Sequence, residues 1–301
     1  MVVAATGFFD GVHAGHRAVL QVLKDTAREE GEESAVITFW PHPRNVLRQD
    51  ASSTFHLLNT LEEKKSLILG FGIDRFYVIP FTKDFSQLDT ADFMRKYLVE
   101  QFHVDTIVIG YDHRLGRSST ASREELAAIA STVGLRTRIV EEVHCEDRKV
   151  SSTQIRNLLA AGDVQAAAQL LGYRYSLSGI VVSGNMLGRT MGFPTANMQL
   201  CEPLKMVPAD GVYAVCVDVS GQRHRGICNI GTRPTVSEGN VRTIETNIFG
   251  FSGNIYGHDI RVGFVARIRD EKRFASLEDL RFQMEHDRKI AEKMLSLPGN
   301  V

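Results

Sequence analysis

The sequence predicts two folds in series. Residues 1–172 read as a doubly wound, Rossmann-like α/β domain, and residues 173–301 as a small antiparallel β-barrel with a C-terminal helix. Three observations carry this. Strand-like and helix-like segments alternate through the first part, and strand cores such as Thr106-Ile-Val-Ile are apolar on successive positions, as in parallel strands buried on both faces. After Gly172 the texture changes: 11 of the 25 glycines fall in the first 172 residues and 14 in the remainder, where short β runs are separated by turn residues. A length of 301 residues also favours two domains, each with a core of its own.

The elements follow in order. Strands are predicted over 2–6, 35–39, 75–79, 106–109 and 136–140, with helices near 15–30 and over 61–69, 90–99 and 122–133 between them. Two more helices, 151–161 and 163–171, close the domain; Gly162 stops the first and Asp163 caps the second. Beyond Gly172, β runs are predicted over 177–182, 211–219, 225–230, 244–249 and 259–268. Residues 213–219 alternate partly, as a half-buried antiparallel strand does. A single amphipathic helix over 277–295, with Ser276 as its N-cap, ends the fold.

Charge excludes several classes of function. Lys and Arg number 35 against 36 Asp and Glu, a net −1 that divides into −4 before residue 173 and +3 after it. A near-neutral chain is not a polybasic nucleic-acid coat, whose affinity comes from neutralising many phosphates. The longest uncharged run, 175–188, is interrupted by Ser, Gly and Asn, so neither nucleic acid nor membrane is an expected partner. Four scattered cysteines without a C-x-x-C pair point to a reducing cytoplasm. The first residues read as a strand, not a signal peptide.

The most informative segment is Gly7-Phe-Phe-Asp-Gly-Val-His-Ala-Gly-His16, between the first strand and the first long helix. Unpaired N–H groups and the positive end of the dipole at a helix start attract phosphate. Gly7, Gly11 and Gly15 permit a tight turn and close approach of a nucleotide. His13 and His16, three apart, project to one side and can donate hydrogen bonds to a phosphate whose charge grows in the transition state. Much later, Val150-Ser-Ser-Thr-Gln-Ile-Arg156 places hydroxyls at a helix cap and Arg156 in its first turn, a second anion site.

The first string resembles the H-x-G-H signature of the nucleotidylyltransferase superfamily, in the form found in bacterial bifunctional riboflavin kinase/FAD synthetases. The second resembles that superfamily's I-S-S-T-x-I-R. The resemblance implies nucleotide or flavin contacts at Gly7, Phe9, Asp10, Gly15, Ser152, Thr153 and Arg156. Thr38-Phe-Trp-Pro-His-Pro43 is similar to the family's T-F-x-P-H-P and places His42 near a ligand. Gly110-Tyr-Asp-His-Arg-Leu-Gly116 is similar to G-x-D-F-x-F-G, implying roles for Gly110 and Asp112, although His113 and Leu115 replace aromatics.

In the second part, Gly179-Ile-Val-Val-Ser-Gly184 begins like a P-loop, but Asn185-Met186 follows where Lys-Ser/Thr is required. The stretch from Gly179 to Asn197 instead resembles the riboflavin kinase pattern G-x-V-x-x-G-x-x-x-G-R-x-x-G-F-P-T-A-N. It implies nucleotide contacts at Gly184, Gly188, Arg189, Pro194, Thr195 and Asn197. Thr195 and Asn197 are hard oxygen donors suited to Mg²⁺. Gly226 to Thr235 is similar to G-V-x-N-I-G-x-R-P-T, with packing roles for Asn229 and Arg233. Glu245 matches the family's catalytic glutamate in E-x-H, with Asn247 where the histidine stands; Arg269 to Phe274 matches R-D-E-x-x-F.

The resemblance implies two sequential reactions. The second domain phosphorylates riboflavin with ATP and Mg²⁺ to FMN, releasing ADP, with Glu245 as base. The first adenylylates FMN with ATP to FAD and pyrophosphate, with His13 and His16 stabilising charge at the α-phosphate and Arg156 holding the departing phosphates. A monomer or weak homo-oligomer is the expected state. Three alternatives remain open at this point: a nucleotidylyltransferase for another nucleotide-like substrate, a chain with only one active domain, and a flavin- or nucleotide-binding regulator without turnover.

Overall fold

Side-chain alternation along the strands generates the layers of the N-terminal unit. The computed structural model describes residues 1–47, 54–110, 122–141, 144–145, 148–184, 192–235 and 239–297. Five parallel strands, β1 (Val2–Thr6), β2 (Glu33–Trp40), β3 (Arg75–Pro80), β4 (Val104–Ile109) and β5 (Arg136–Ile139), form one sheet in the order β3-β2-β1-β4-β5. Val2 and Ala4 of β1 join Ala35, Ile37 and Phe39 of β2 in one core, whereas Val3 and Ala5 join Val36 in another. Successive residues enter opposite cores because the strand period is two. Both faces are therefore covered, and the doubly wound reading holds.

Helix α1 (Ala14–Glu30) lays Val19, Leu20, Leu23 and Ala27 on one face of the sheet, and α3 (Leu61–Gly70) adds Ile68. A short helix, α2 (Pro43–Val46), precedes α3. The other face is covered by α4 (Thr90–Phe93), the π-helical stretch Met94–Gln101 that continues it, and α5 (Arg123–Thr132). Sequence periodicity gave one helix over 90–99. The wider turn lets Met94 and Leu98 enter the core while Tyr97 meets Phe85 and Phe93 at ring distances of 5.3 and 5.8 Å. Strands β6 (His144–Cys145) and β7 (Arg148–Lys149) form a separate two-stranded ladder.

Helices α6 (Ser152–Ala161) and α7 (Val164–Leu171) lead into β8 (Ser176–Val182), β9 (Thr195–Leu200), β10 (Gly211–Val219), β11 (Gln222–Thr235), β12 (Gly239–Ile248) and β13 (Asp259–Arg269). These six strands close a barrel in the order β10-β11-β12-β9-β8-β13. Its antiparallel ladders run longer than the apolar runs suggest. The polar residues Gln222 to His224 continue β11 because Ser220 and Gly221, at φ of 52° and 74°, make a tight hairpin that pairs them with β10. Helix α8 (Leu277–Leu295), capped by Ser276, packs Ala291 and Leu295 against Ala214, Cys216 and Val265.

Packing divides the chain into Met1–Ser152 and Thr153–Val301. Helices α6 and α7 go with the barrel: Ala209 donates its N–H to the Leu159 carbonyl at 2.9 Å, and Arg267 reaches the Ala161 carbonyl at 3.2 Å.

Candidate active sites

The glycine loop is bent by more than its glycines. Gly11 adopts a φ of 90°, and two residues with side chains, Phe9 and Val12, also lie at positive φ, 47° and 38°. For a β-branched valine this is an outlier, and such strain persists where surrounding structure over-determines it. Val12 is buried and its N–H bonds the Phe9 carbonyl at 3.1 Å. Phe9 is wedged beneath Gly7, where an added Cβ would lie 3.3 Å from its ring. Gly15 makes room for the His13 ring, 3.3 Å from where its Cβ would stand.

His13 is the N-cap of α1 but makes no side-chain cap bond, and the first turn has no acidic residue. A helix start without an acidic first turn is of the kind that favours an anion, and both imidazoles lie beside it. The His13 and His16 rings stack at 3.8 Å and 17°, and Phe9 meets His16 edge-on at 5.2 Å. Burial, then the neighbouring His13 and Lys64, hold the His16 imidazole well below its usual range. His16 is thus neutral at physiological pH, and its Nδ1 is buried without a hydrogen bond among the described residues.

Asp10 is 4% exposed, and its carboxylate accepts the Leu58 N–H at 3.0 and 3.2 Å and the Asn59 N–H at 3.1 Å. Those amides fasten the segment before α3 to the glycine loop. The helix itself begins with a reciprocal Thr60–Glu63 capping box. His42 caps α2 by accepting the Arg44 N–H and lies between Phe8 at 4.7 Å and Phe55 at 4.4 Å. The two conserved-looking strings of the sequence meet here: Ser152 donates its hydroxyl to the Asp10 carbonyl at 2.8 Å. Gly110 is buried directly after β4. Thr153 and Arg156 follow Ser152 on the first turns of α6 and belong to the second unit. Asp112, Gly188 and Arg189 lie outside the described residues.

In the barrel, register gathers the candidate residues. Asn197 of β9 faces Glu245 of β12, which in turn faces Asn229 of β11; Thr195 faces Asn247. The alternate positions Ala196, Thr246 and Cys228 are buried, and burial pushes the Cys228 thiol up to about 12, leaving it protonated. Thr195 donates its hydroxyl to Glu245 at 3.4 Å. A side chain at Gly184 would displace the Asn197 amide, because its Cβ would stand 2.1 Å from it.

Two cavities meet at this ladder. One, of about 590 Å³, is bordered by Gly184, Pro194, Thr195, Asn197 and the turn around Gly253. The other, of about 300 Å³, is bordered by Thr195, Glu245 and Asn247 on one side and by Phe274, Leu280 and Met284 on the other. Thr195 lines both. The ladder therefore offers a carboxylate and a hydroxyl at the junction of a larger cleft and a smaller one that combines Phe274, Leu280 and Met284 with charged residues such as Arg269 and Asp287.

Three supporting residues were not assigned from sequence. Asn247 donates its amide to the Pro194 carbonyl at 2.8 Å and so fixes the entry to β9. Arg269 pairs with the buried Asp287 at 2.8 Å, joining β13 to α8 across the smaller cavity. Lys64, only 2% exposed, lies among the groups around His16. Its signal was positional: within Leu61-Glu-Glu-Lys-Lys it sits one turn before the buried Ile68, on the inward stripe of α3.

A family model described as FAD synthetase matches residues 1–154, and one described as riboflavin kinase matches residues 171–295. The chain is 38% identical to a bifunctional riboflavin kinase/FMN adenylyltransferase of Bacillus subtilis over 98% of its length and 92% of the relative's. It is 35% identical to the protein of that description from Escherichia coli K12, over 98% and 93%. A solved structure titled as a macrolide-efflux protein from Streptococcus pneumoniae superposes with a TM-score of 0.88 at 31% identity, over 97% of this chain and 93% of that one. Among the described residues no helix is long and apolar enough to cross a membrane. With both halves of the glycine-loop and barrel-ladder geometry matched over nearly the whole length, the chain belongs to the bifunctional riboflavin kinase/FMN adenylyltransferase family.

Proposed function

We propose that the chain phosphorylates riboflavin to FMN in its barrel and adenylylates FMN to FAD in its α/β unit. The observation that carries this reading is the presence of two separately built phosphate sites: the strained loop with stacked His13 and His16, and the Thr195–Glu245 ladder between two cavities. Each activity is assigned to the residues of its own family match, with a functional division near residue 172.

In the kinase step, the smaller cavity, with Phe274, Leu280 and Met284 along one side, suits the flavin ring and the larger cleft the ATP. The ribityl hydroxyl at their junction attacks the γ-phosphorus, its proton passes to Glu245, and ADP leaves. A positioned base contributes roughly 10²–10⁴-fold to such a step. Thr195, Asn197 and Glu245 are oxygen donors on one face of the ladder, a set that fits Mg²⁺ completed by water and phosphate oxygens. When bound, Mg²⁺ neutralises charge on the phosphates. Gly184 allows the Asn197 amide its place, and Asn247 holds Pro194 so that Thr195 meets Glu245.

In the adenylylation step, an FMN phosphate oxygen attacks the α-phosphorus of ATP and pyrophosphate leaves, with no covalent enzyme intermediate. The neutral imidazole of His16, with His13 stacked on it, donates to the α-phosphate oxygens beside the α1 N–H groups. Asp10 acts as a positioning residue through the Leu58 and Asn59 amides, and Ser152 holds the loop from the far side. Arg156 serves the departing phosphates. In this reading the chain works in the cytoplasm as a monomer or weak homo-oligomer. Chromatography of the products formed from riboflavin, ATP and Mg²⁺ tests it: FMN and then FAD are expected, and flavin bound without conversion refutes it.

A further inference from the structure

Among the described residues of the N-terminal unit, Lys64 is the one buried lysine or arginine. Its side chain is 2% exposed, and its ammonium makes no hydrogen bond or ion pair among the described residues. Other nearby cations are committed. Lys24 of α1 donates to the Phe71 carbonyl at 2.9 Å, and Arg75 of β3 pairs with Glu33. An ammonium taken out of water without a partner carries a large desolvation cost, and folded proteins retain one where an anion arrives to compensate it.

The groups acting on Lys64 define where that anion would lie. From the glycine loop comes Asp10, whose carboxylate is engaged by the Leu58 and Asn59 amides. From α1 comes His16, with His13 stacked upon it, and its titration responds to Lys64. On α3 itself, Glu63 is turned away to accept the Thr60 N–H at 3.0 Å. Asp10 is thus the carboxylate acting on Lys64, and the helix start that follows the strained glycine loop has no acidic residue in its first turn.

We propose that Lys64 is a further binding residue of the adenylylation site, its ammonium supplying the countercharge for the ATP polyphosphate and for the pyrophosphate that leaves. This rests on the reading of the first unit as the adenylyltransferase. It has a consequence that a merely structural lysine lacks. Burial lowers the ammonium to about 8 in the ligand-free protein, although Asp10 opposes the shift. A polyanion beside it restores the charged form, so binding near pH 8 takes up protons.

The probe is inorganic pyrophosphate with Mg²⁺, titrated calorimetrically into the full chain at pH 8 in two buffers of different ionisation heat. Wild type is expected to take up about half a proton more per pyrophosphate than Lys64→Met, and Lys64→Met to bind at least ~10-fold more weakly. Lys64→Arg, charged at every accessible pH, is expected to keep affinity within about threefold while losing the extra uptake. A Lys64→Met protein with wild-type circular dichroism, affinity and proton uptake overturns the proposal. If that variant does not fold, undiminished uptake in Lys64→Arg overturns it instead. Conversion of FMN and ATP to FAD by wild type is measured alongside; its absence refutes the adenylyltransferase reading, whereas the lysine linkage is decided by the variants.

Discussion

At the scale of single residues, each reaction in the proposed reading hangs on a different kind of side chain. His16 is neutral because burial and two positive neighbours oppose its charging, so it offers an N–H without competing for the proton of an attacking group. Replacing it with Ala is expected to lower FAD formation from FMN by roughly 10²–10³-fold, the usual effect of deleting one charge-stabilising donor, while riboflavin phosphorylation continues. Equal loss of both reactions in a folded His16→Ala protein contradicts the assignment. Glu245→Ala should do the reverse, losing about 10²–10⁴ of the kinase rate while added FMN is still adenylylated. Lys64 yields a prediction about stability. Its ammonium is lowered to about 8 in the folded chain and lies near 10.4 when unfolded, so between those pH values the unfolded chain holds more protons and stability rises with pH. Below pH 8 the penalty is complete. Lys64→Met should therefore be more stable than wild type at pH 7, by an amount on the order of 3 kcal/mol, with the advantage vanishing as pH approaches 10.5. Chemical denaturation at pH 7 and pH 10 measures it, and a less stable Lys64→Met at pH 7 refutes it.

At the scale of elements, the sheet, the main helices and most barrel strands follow from patterns that act along the chain: buried parallel strands, glycine stops, and caps such as Thr60, Ser122 and Ser276. What was not legible depends on the partner strand. Thr195-Ala-Asn read as the end of a motif, and only pairing with β12 makes it a strand that sets Thr195 and Asn197 beside Glu245 and Asn247. Likewise the π-helical turn answers to an aromatic core assembled from distant segments. Asp10 is expected as a ligand contact from its place in the loop, and its carboxylate also holds two amides of a segment nearly fifty residues away, which only the fold shows. Asn247, which stands where the family pattern has a histidine, anchors the start of β9. Asn247→Ala removes the donor that holds the Pro194 carbonyl, a loss of about 0.5–1.5 kcal/mol. Its expected signature is a fall of about tenfold or more in kcat/KM for riboflavin phosphorylation, with FMN adenylylation unaltered. Asn247→His, which keeps a ring N–H donor, should recover part of it; if His and Ala are equally impaired, the anchoring role is wrong.

At the scale of the whole molecule, the residues assigned to adenylylation lie between Gly7 and Arg156, and those assigned to the kinase between Gly184 and Asp287. The two sets do not interleave, and α6 is where packing and function part company: it belongs with the barrel by contacts, yet its first turns complete the N-terminal signature. Charge follows the same division, −4 before residue 173 and +3 after it, so neither half attracts phosphate by bulk charge. Affinity must come from placed groups, and groups placed within separate sequence segments can be inactivated separately. This leads to complementation between two defective chains. A mixture of His16→Ala and Glu245→Ala should convert riboflavin to FAD, because FMN made by the first is a substrate for the intact site of the second. FAD should appear after a lag that shortens as the concentration of His16→Ala is raised, since free FMN must accumulate. Each variant alone, given riboflavin and ATP, should stop at FMN or at riboflavin. A mixture in which FMN stays bound to His16→Ala and no FAD forms, while Glu245→Ala still adenylylates added FMN, would show that the intermediate is not released between chains.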